Sequence, residues 1–398
     1  MPDAMSSRER MFAAIKGRET DYTPCSFMIF NGLRQTCRDQ LEFVERQIEL
    51  GLDTFVGFPV RDTKRDRSQT EQGDLHGLPV RFAPEVKITE WREDKPGERY
   101  PILHRTYETP AGTLSTSVDK TEDWVQGDRV PIFDDFVIPR ARKRLITGLD
   151  DLPALKYLLT VPTDGDIADL RESSKPAKAL AAKHDLLTVG EWGALFDTAC
   201  WLAGMEELVL AAVDRPEFVE GLFDVIEEWN RRRMEVVLAE GVDLFIRRAW
   251  YATTDFWSPA LYERFILPRL QRDVRTAHEA GAKLGLITTS SYTPLLDLYL
   301  ESGIDVLIGL DPVQDTRVDF ALAKEKLGGK IGLWGGVNGF VTIERGTPDE
   351  VRQAVREAMR VLAPGGGFIL SPVDNVTRND EPTWVNVRAL IDEWHRLR

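Results

Sequence analysis

Between residues 283 and 338 one pattern occurs three times: a short apolar run, a polar end, then a helix-like segment. Lys283-Leu-Gly-Leu-Ile287 leads into the hydroxyl cluster Thr288-Thr-Ser-Ser291 and a helical segment over 293–302, with Pro294 in its first turn and Gly303 as its stop. The run 304–309 ends at Leu310-Asp311-Pro312. After a helix near 319–327, Lys330-Ile-Gly-Leu-Trp334 ends in Gly335-Gly336-Val-Asn338. Apolar runs of this length, bounded by polar residues and separated by helices, are how buried parallel strands read.

The same alternation extends along the chain. Ser6 or Ser7 caps a helix reaching Ile15, with Gly17 as its stop. Residues 25–30 form a first strand, 36–50 a helix and 53–58 a second strand, followed by Arg61 and Asp62. From 78 to 118 the period changes to two, with turns at Asp94-Lys-Pro-Gly97 and Pro110-Ala-Gly112; this predicts an antiparallel β insert after the second strand. A third strand over 186–190 ends at Glu191-Trp192, and helices follow at 198–213 and 216–239. A fourth strand, 242–246, leads to Arg247-Arg-Ala-Trp-Tyr251, and Ser258-Pro259 opens a helix to about residue 280. Thr347 opens another, ending at Leu362; strand eight, 365–370, closes with Ser371-Pro-Val-Asp-Asn375, and a helix over 383–398 ends the chain. Eight strands, each followed by a helix, predict an α/β fold of the (β/α)8 TIM-barrel class, with an N-terminal helix and the β insert, as a single domain over 1–398.

Composition narrows the function. The 398 residues are 42% hydrophobic and 29% charged, an ordinary globular mixture, and no apolar run approaches the ~20 residues that span a bilayer. A formal net charge of −14 argues against nucleic acid and against a polyanionic substrate. Three cysteines without CxxC spacing and an N-terminus without an apolar signal core point to the cytoplasm.

In such barrels chemistry gathers where the strands end. Those ends supply Glu191, Asp311 and Tyr251 as catalytic candidates. They also supply Arg61, Trp192, Arg248, Trp250, Thr289, Tyr292, Trp334, Asn338, Asp374 and Asn375 as substrate-binding candidates. Arg247 and Arg248, being adjacent, cannot both face inward. There is no HExxH, P-loop, GxSxG or nucleotide fingerprint, and none of the five histidines lies at a strand's carboxyl end, so no metal is expected.

Several stretches resemble the uroporphyrinogen decarboxylase superfamily: Arg8-Glu-Arg-Met-Phe-Ala-Ala-Ile-Lys-Gly17, Thr109-Pro-Ala-Gly-Thr-Leu114 and Ser258-Pro-Ala-Leu-Tyr-Glu-Arg-Phe-Ile-Leu-Pro268. So do Ala277-His-Glu-Ala-Gly-Ala-Lys283, Gly346-Thr-Pro-Asp-Glu-Val-Arg352 and Ala363-Pro-Gly-Gly-Gly-Phe-Ile-Leu-Ser-Pro372. The resemblance implies a barrel and either decarboxylation or corrinoid-linked methyl transfer. The haem-pathway decarboxylase carries arginines after strand one and an aspartate after strand two; here Phe27-Met-Ile-Phe-Asn-Gly32 and Phe58-Pro-Val60 lack them, with Arg34 and Asp62 displaced. The zinc methyltransferases of the superfamily carry His-x-Cys after strand five and Cys after strand eight, where this chain has Ile287, Thr289 and Val373 or Asp374.

The resemblance therefore favours the methyltransferase-like branch without its zinc. The expected activity is methyl transfer or demethylation of a small substrate, with a corrinoid or tetrahydrofolate as carrier, and with a corrinoid protein and a homodimer as partners the reading allows. Two alternatives stay open: a decarboxylase acting on uroporphyrinogen or a smaller acid, and a non-catalytic ligand-binding barrel.

Overall fold

The computed structural model describes the backbone of residues 4–58, 71–75, 78–314 and 318–398, and their side chains apart from 71–75 and 191–194. Its strands in chain order are β1 (Phe55–Phe58), β2 (Glu71–Leu75), β3 (Leu78–Val80), β4 (Lys87–Glu93), β5 (Ile102–Thr109), β6 (Gly112–Asp119), β7 (Ala141–Lys143), β8 (Leu187–Ala194), β9 (Leu244–Arg248), β10 (Lys283–Ile287), β11 (Val306–Leu310), β12 (Gly332–Asn338) and β13 (Phe368–Val373). The chain divides into two compact units, where the sequence reading treats it as one domain: Met1–Thr63, Arg171–Trp192 and Val237–Arg398 form the first, Lys64–Leu170 and Gly193–Val236 the second.

The first unit is built on a seven-stranded parallel sheet in the order β1-β8-β9-β10-β11-β12-β13. All pairs are parallel, so every strand ends at the same edge. Leu187, Val189, Leu244, Ile246, Ile287, Val306, Ile308, Trp334 and Ile369 form one core cluster; alternate residues of the strands share it, as the two-residue period requires. Met11, Ala14 and Ile15 of the N-terminal helix, Ser7–Ile15, join that cluster. This helix carries the capping box expected of Ser6 and Glu9. Gly332 is a glycine because a Cβ there would lie 2.8 Å from the Ala14 carbonyl oxygen.

The first predicted strand is reduced to two isolated bridges, Cys25 to Leu370 and Ile29 to Asn375. Ser26 N–H donates to Leu370 O at 2.9 Å, but Met28 N–H donates to the Ser371 hydroxyl at 2.9 Å, so a side chain takes a donor that a ladder would use. On its other side Asp53 N–H donates to Cys25 O at 2.8 Å, just ahead of β1. The segment 25–29 therefore lies between β13 and the start of β1.

One strand boundary is corrected. Gly335-Gly336, read as part of the polar end that follows Trp334, lies inside β12, which continues to Asn338. Gly335 has φ +150°, and a Cβ there would stand 2.6 Å from the Leu310 nitrogen, where the β11–β12 register shifts. Glycine is what lets the two strands pass.

The second unit holds a two-stranded sheet, β2-β3, and a separate four-stranded antiparallel sheet, β4-β5-β6-β7. The stretch 78–118, expected to alternate, holds β3, which pairs with β2, and β4 to β6 of the four-stranded sheet. Short, charged β7 has no sequence signature. The helix read over 198–213 is two, Phe196–Ala203 and Met205–Asp214, broken at Gly204 (φ +83°). Among the described residues no helix is long and apolar enough to cross a membrane.

Candidate functional site at the carboxyl edge of the parallel sheet

Side-chain alternation decides which of the two arginines at the end of β9 serves the site. Leu244 and Ile246 point into the core cluster, so Arg248 continues that row and Arg247 faces the other way. Arg247 is buried in an ion pair, 2.6 Å from Asp273 on the helix Leu267–Glu279. Arg248 is half-buried, its guanidinium 4.0 Å above the Trp250 ring and 5.8 Å from that of Tyr251. Stacking on two aromatic faces holds the cation in place. The Trp257 indole N–H donates to Tyr251 O at 3.0 Å and fixes the loop that carries the pair.

After β10, Thr289 is half-buried, whereas Thr288 and Tyr292 are fully buried. Ser290 and Ser291 both donate to Asp255, and Thr254 donates to Ser291 O at 2.7 Å, so the loops after β9 and β10 are tied to each other. Asp255 was not among the strand-end candidates, because it lies seven residues beyond β9.

The ends of β11, β12 and β13 form an acidic corner. Asp311 is fully buried just past β11. Its Oδ1 accepts from the backbone N–H groups of Val313 at 2.7 Å and Gln314 at 3.1 Å, and its Oδ2 from the Asn338 amide at 2.6 Å. Asn338, the last residue of β12, also accepts the Val341 N–H through its own Oδ1, so its donor end is held toward Asp311. Burial pushes the Asp311 carboxyl above its ordinary range, against the pull of those three donors. Asp374, directly after β13, is half-buried with φ +65°, a left-handed conformation rare outside glycine. It too is pushed up, first by burial and then by the charges of Asp311 and Glu344. Among the described residues its carboxylate has no hydrogen-bond donor, and no lysine or arginine pairs with either aspartate. Asn375 is occupied with backbone, its Oδ1 accepting from Asn31 N–H at 3.2 Å.

The remaining candidates divide sharply. Trp334 is corrected to a core residue: it is mid-strand in β12, 1% exposed, and its indole N–H donates to Ser26 O at 2.9 Å. Glu191 and Trp192 lie on the carboxyl-terminal half of β8, their side chains outside the described residues, and Arg61 lies outside them altogether.

The family model for uroporphyrinogen decarboxylase (URO-D) matches residues 133–397, well over half of the chain. The chain belongs to the uroporphyrinogen decarboxylase family. A curated relative of this URO-D chain, the uroporphyrinogen decarboxylase of Paraburkholderia phytofirmans, is 27% identical over 189 residues. That match spans 46% of this chain and 48% of the relative, about half the length of each. Among solved structures, a methyltransferase from Methanosarcina mazei superposes with a TM-score of 0.57 at 18% identity, covering 98% of this chain and 99% of that one. At that identity the likeness concerns the fold.

Along one sheet edge this URO-D family member thus carries two carboxyls with raised affinity for protons, at the ends of β11 and β13, and a guanidinium laid on aromatic rings at the end of β9. Glu344, which acts on Asp374, was missed by the sequence reading because it lies in the turn after β12 rather than at a strand end.

Proposed function

We propose that this URO-D family chain is a methyl-transferring enzyme, taking a methyl group from a small donor and passing it to a corrinoid or folate carrier. The observation that carries the reading is the Asp311–Asn338–Asp374 corner, where two carboxyls sit together with no neutralising cation among the described residues. Removing a methyl group from oxygen, nitrogen or sulfur leaves a heteroatom that must take up a proton, and a carboxyl whose affinity for protons is raised by burial and like charge is suited to give it. In this reading the carbon–heteroatom bond breaks, its electrons stay on the heteroatom, and the Asp374 proton goes there. The carrier, as second substrate, supplies the electron pair for the new bond to the methyl group. Asp311 keeps the proton in the corner, Asn338 holds Asp311 in register, and Trp250 and Tyr251 wall the donor. Glu191, on the carboxyl-terminal half of β8, is the second acid candidate. The same reading closes the parallel sheet as an eight-membered barrel through residues 25–29, with one mouth at the carboxyl edge.

The zinc of related methyltransferases does not fit this chain. Its ligand positions correspond to Ile287, Thr289 and Val373 or Asp374; Ile287 and Val373 are fully buried hydrocarbons with no donor atom. No step is routed through such a metal. Decarboxylation is the alternative that Arg248 favours, as a clamp for a substrate carboxylate. The acidic corner weighs against it, since it would repel an anionic substrate.

The deciding assay incubates the protein with a panel of O-, N- and S-methyl compounds and either reduced cobalamin or tetrahydrofolate, following demethylated product and methylated carrier by mass spectrometry. The expected result is methyl transfer that falls at least ~100-fold in Asp374→Asn. Carbon dioxide release from candidate acids with no methyl transferred would overturn the reading.

A further inference from the structure

The loop that begins at Asp374 is fastened from outside the strand ends. Glu344, 5% exposed, follows the π-helical turn Gly339–Ile343 that continues from β12. Its Oε1 accepts three donors from the loop beyond β13: the Thr377 backbone N–H, the Thr377 hydroxyl at 2.7 Å and the Arg378 backbone N–H at 3.2 Å. The turn itself is anchored in two directions. Asn386, on the last helix, Glu381–Leu397, donates to Ile343 O at 2.9 Å and Gly346 O at 2.7 Å. Gly339 packs against the end of β13, where a Cβ would lie 2.7 Å from Val373 O.

A buried carboxylate bound to three loop donors is more than a surface contact, because losing it would strand those donors and free the loop. The loop it binds starts three residues earlier, at the left-handed Asp374, whose conformation the surroundings must enforce.

We propose that Glu344 is a positioning residue of this site: it fastens the Asp374 loop and supplies part of the negative field in which the Asp374 carboxyl works. The proposal rests on the acid role given to Asp374 above. Among the described residues the charged groups acting on Asp374 are Asp311 at the end of β11 and Glu344 after β12, both raising its affinity for a proton. Arg378, in the same loop, is paired with Asp380, its Nε donating to Oδ2 at 2.7 Å.

The test separates fastening from field. Glu344→Gln keeps a carbonyl acceptor for the three donors but removes the charge; Glu344→Ala removes both. Carboxyl-¹³C NMR of the full chain reads the titration of Asp374, and amide hydrogen exchange reads Thr377 and Arg378. In Glu344→Gln the Asp374 titration moves to lower pH while the two amides stay protected. In Glu344→Ala the amides lose protection as well. An Asp374 titration unmoved in Glu344→Gln would overturn the proposal even if Glu344→Ala failed to fold. Neither readout needs the substrate, so a chain that transfers no methyl group would defeat the reading of function without touching this result, and the converse holds too.

Discussion

The two edges of the parallel sheet handle carboxylates in opposite ways. At the amino edge they are matched with cations. Arg10 lies 2.7 Å from both Asp21 and Asp53, Arg8 Nε donates to Asp243 at 3.0 Å, and Lys283 lies 2.7 Å from Asp305. Hydrogen bonding to Arg10 holds Asp21 down at about 2. Asp243 stays below its ordinary value because Arg8 and Thr188 outweigh burial, whereas at Asp53 burial outweighs Arg10. At the carboxyl edge Asp311 and Asp374 have, among the described residues, only neutral donors or none, and both are raised. Pairing acids with cations at one edge and, among the described residues, not at the other is how a fold keeps the second for protons rather than for stability.

Breaking the amino edge should have the largest effect. Arg10→Ala leaves Asp53 buried without its cation and should destabilise the protein by about 3–5 kcal/mol in denaturant unfolding. Methyl transfer per folded molecule should not change, because Arg10 lies far along the strands from their carboxyl ends. The complementary change, Asp311→Asn, should invert that result. The new amide oxygen keeps the Val313 and Gln314 donors but the amide nitrogen meets the Asn338 amide, so stability should fall by about 1–3 kcal/mol, less than in Arg10→Ala, while turnover falls ~100-fold or more. Equal losses of stability from the two variants would erase the distinction between the edges.

The smallest effect sharpens the contrast through pH. Asp21 and Asp243 bind protons more weakly when folded, so their stabilisation is present above the unfolded pKa and lost as pH falls. Asp311 and Asp374 bind them more tightly, so theirs is present at low pH and lost as pH rises through the folded pKa. Melting temperature against pH should therefore decline less on the rising side in Asp311→Asn/Asp374→Asn than in the parent. The acid-side loss should be the same in both.

Much of this frame was legible in the residues. Capping signals at Ser6, Ser258 and Thr347 marked helix starts that the structure keeps, because caps are local chemistry. Apolar runs located the strands, and alternation alone predicted that one of Arg247 and Arg248 faces away. What stayed hidden depends on contacts between distant segments. A glycine pair inside a strand reads as part of its polar end until the neighbouring strand is seen to need the space, and that error moved Trp334 from the core to the mouth. Asp311, Asn338 and Asp374 were each visible as strand ends. That Asn338 bridges to Asp311, and that no cation among the described residues reaches the pair, follows from register rather than from spacing. Glu344 had no signal, since its partners are backbone groups more than thirty residues away.

The most direct test of an acid corner is the protonation of the two carboxyls themselves. Carboxyl-¹³C titration of the full chain, with Asp243 as an internal reference, should show Asp311 and Asp374 releasing their protons above the ordinary aspartate range near 3.9 and Asp243 below it. If Asp311 and Asp374 titrate with Asp243, the carboxyl edge holds no proton to give and the account is wrong.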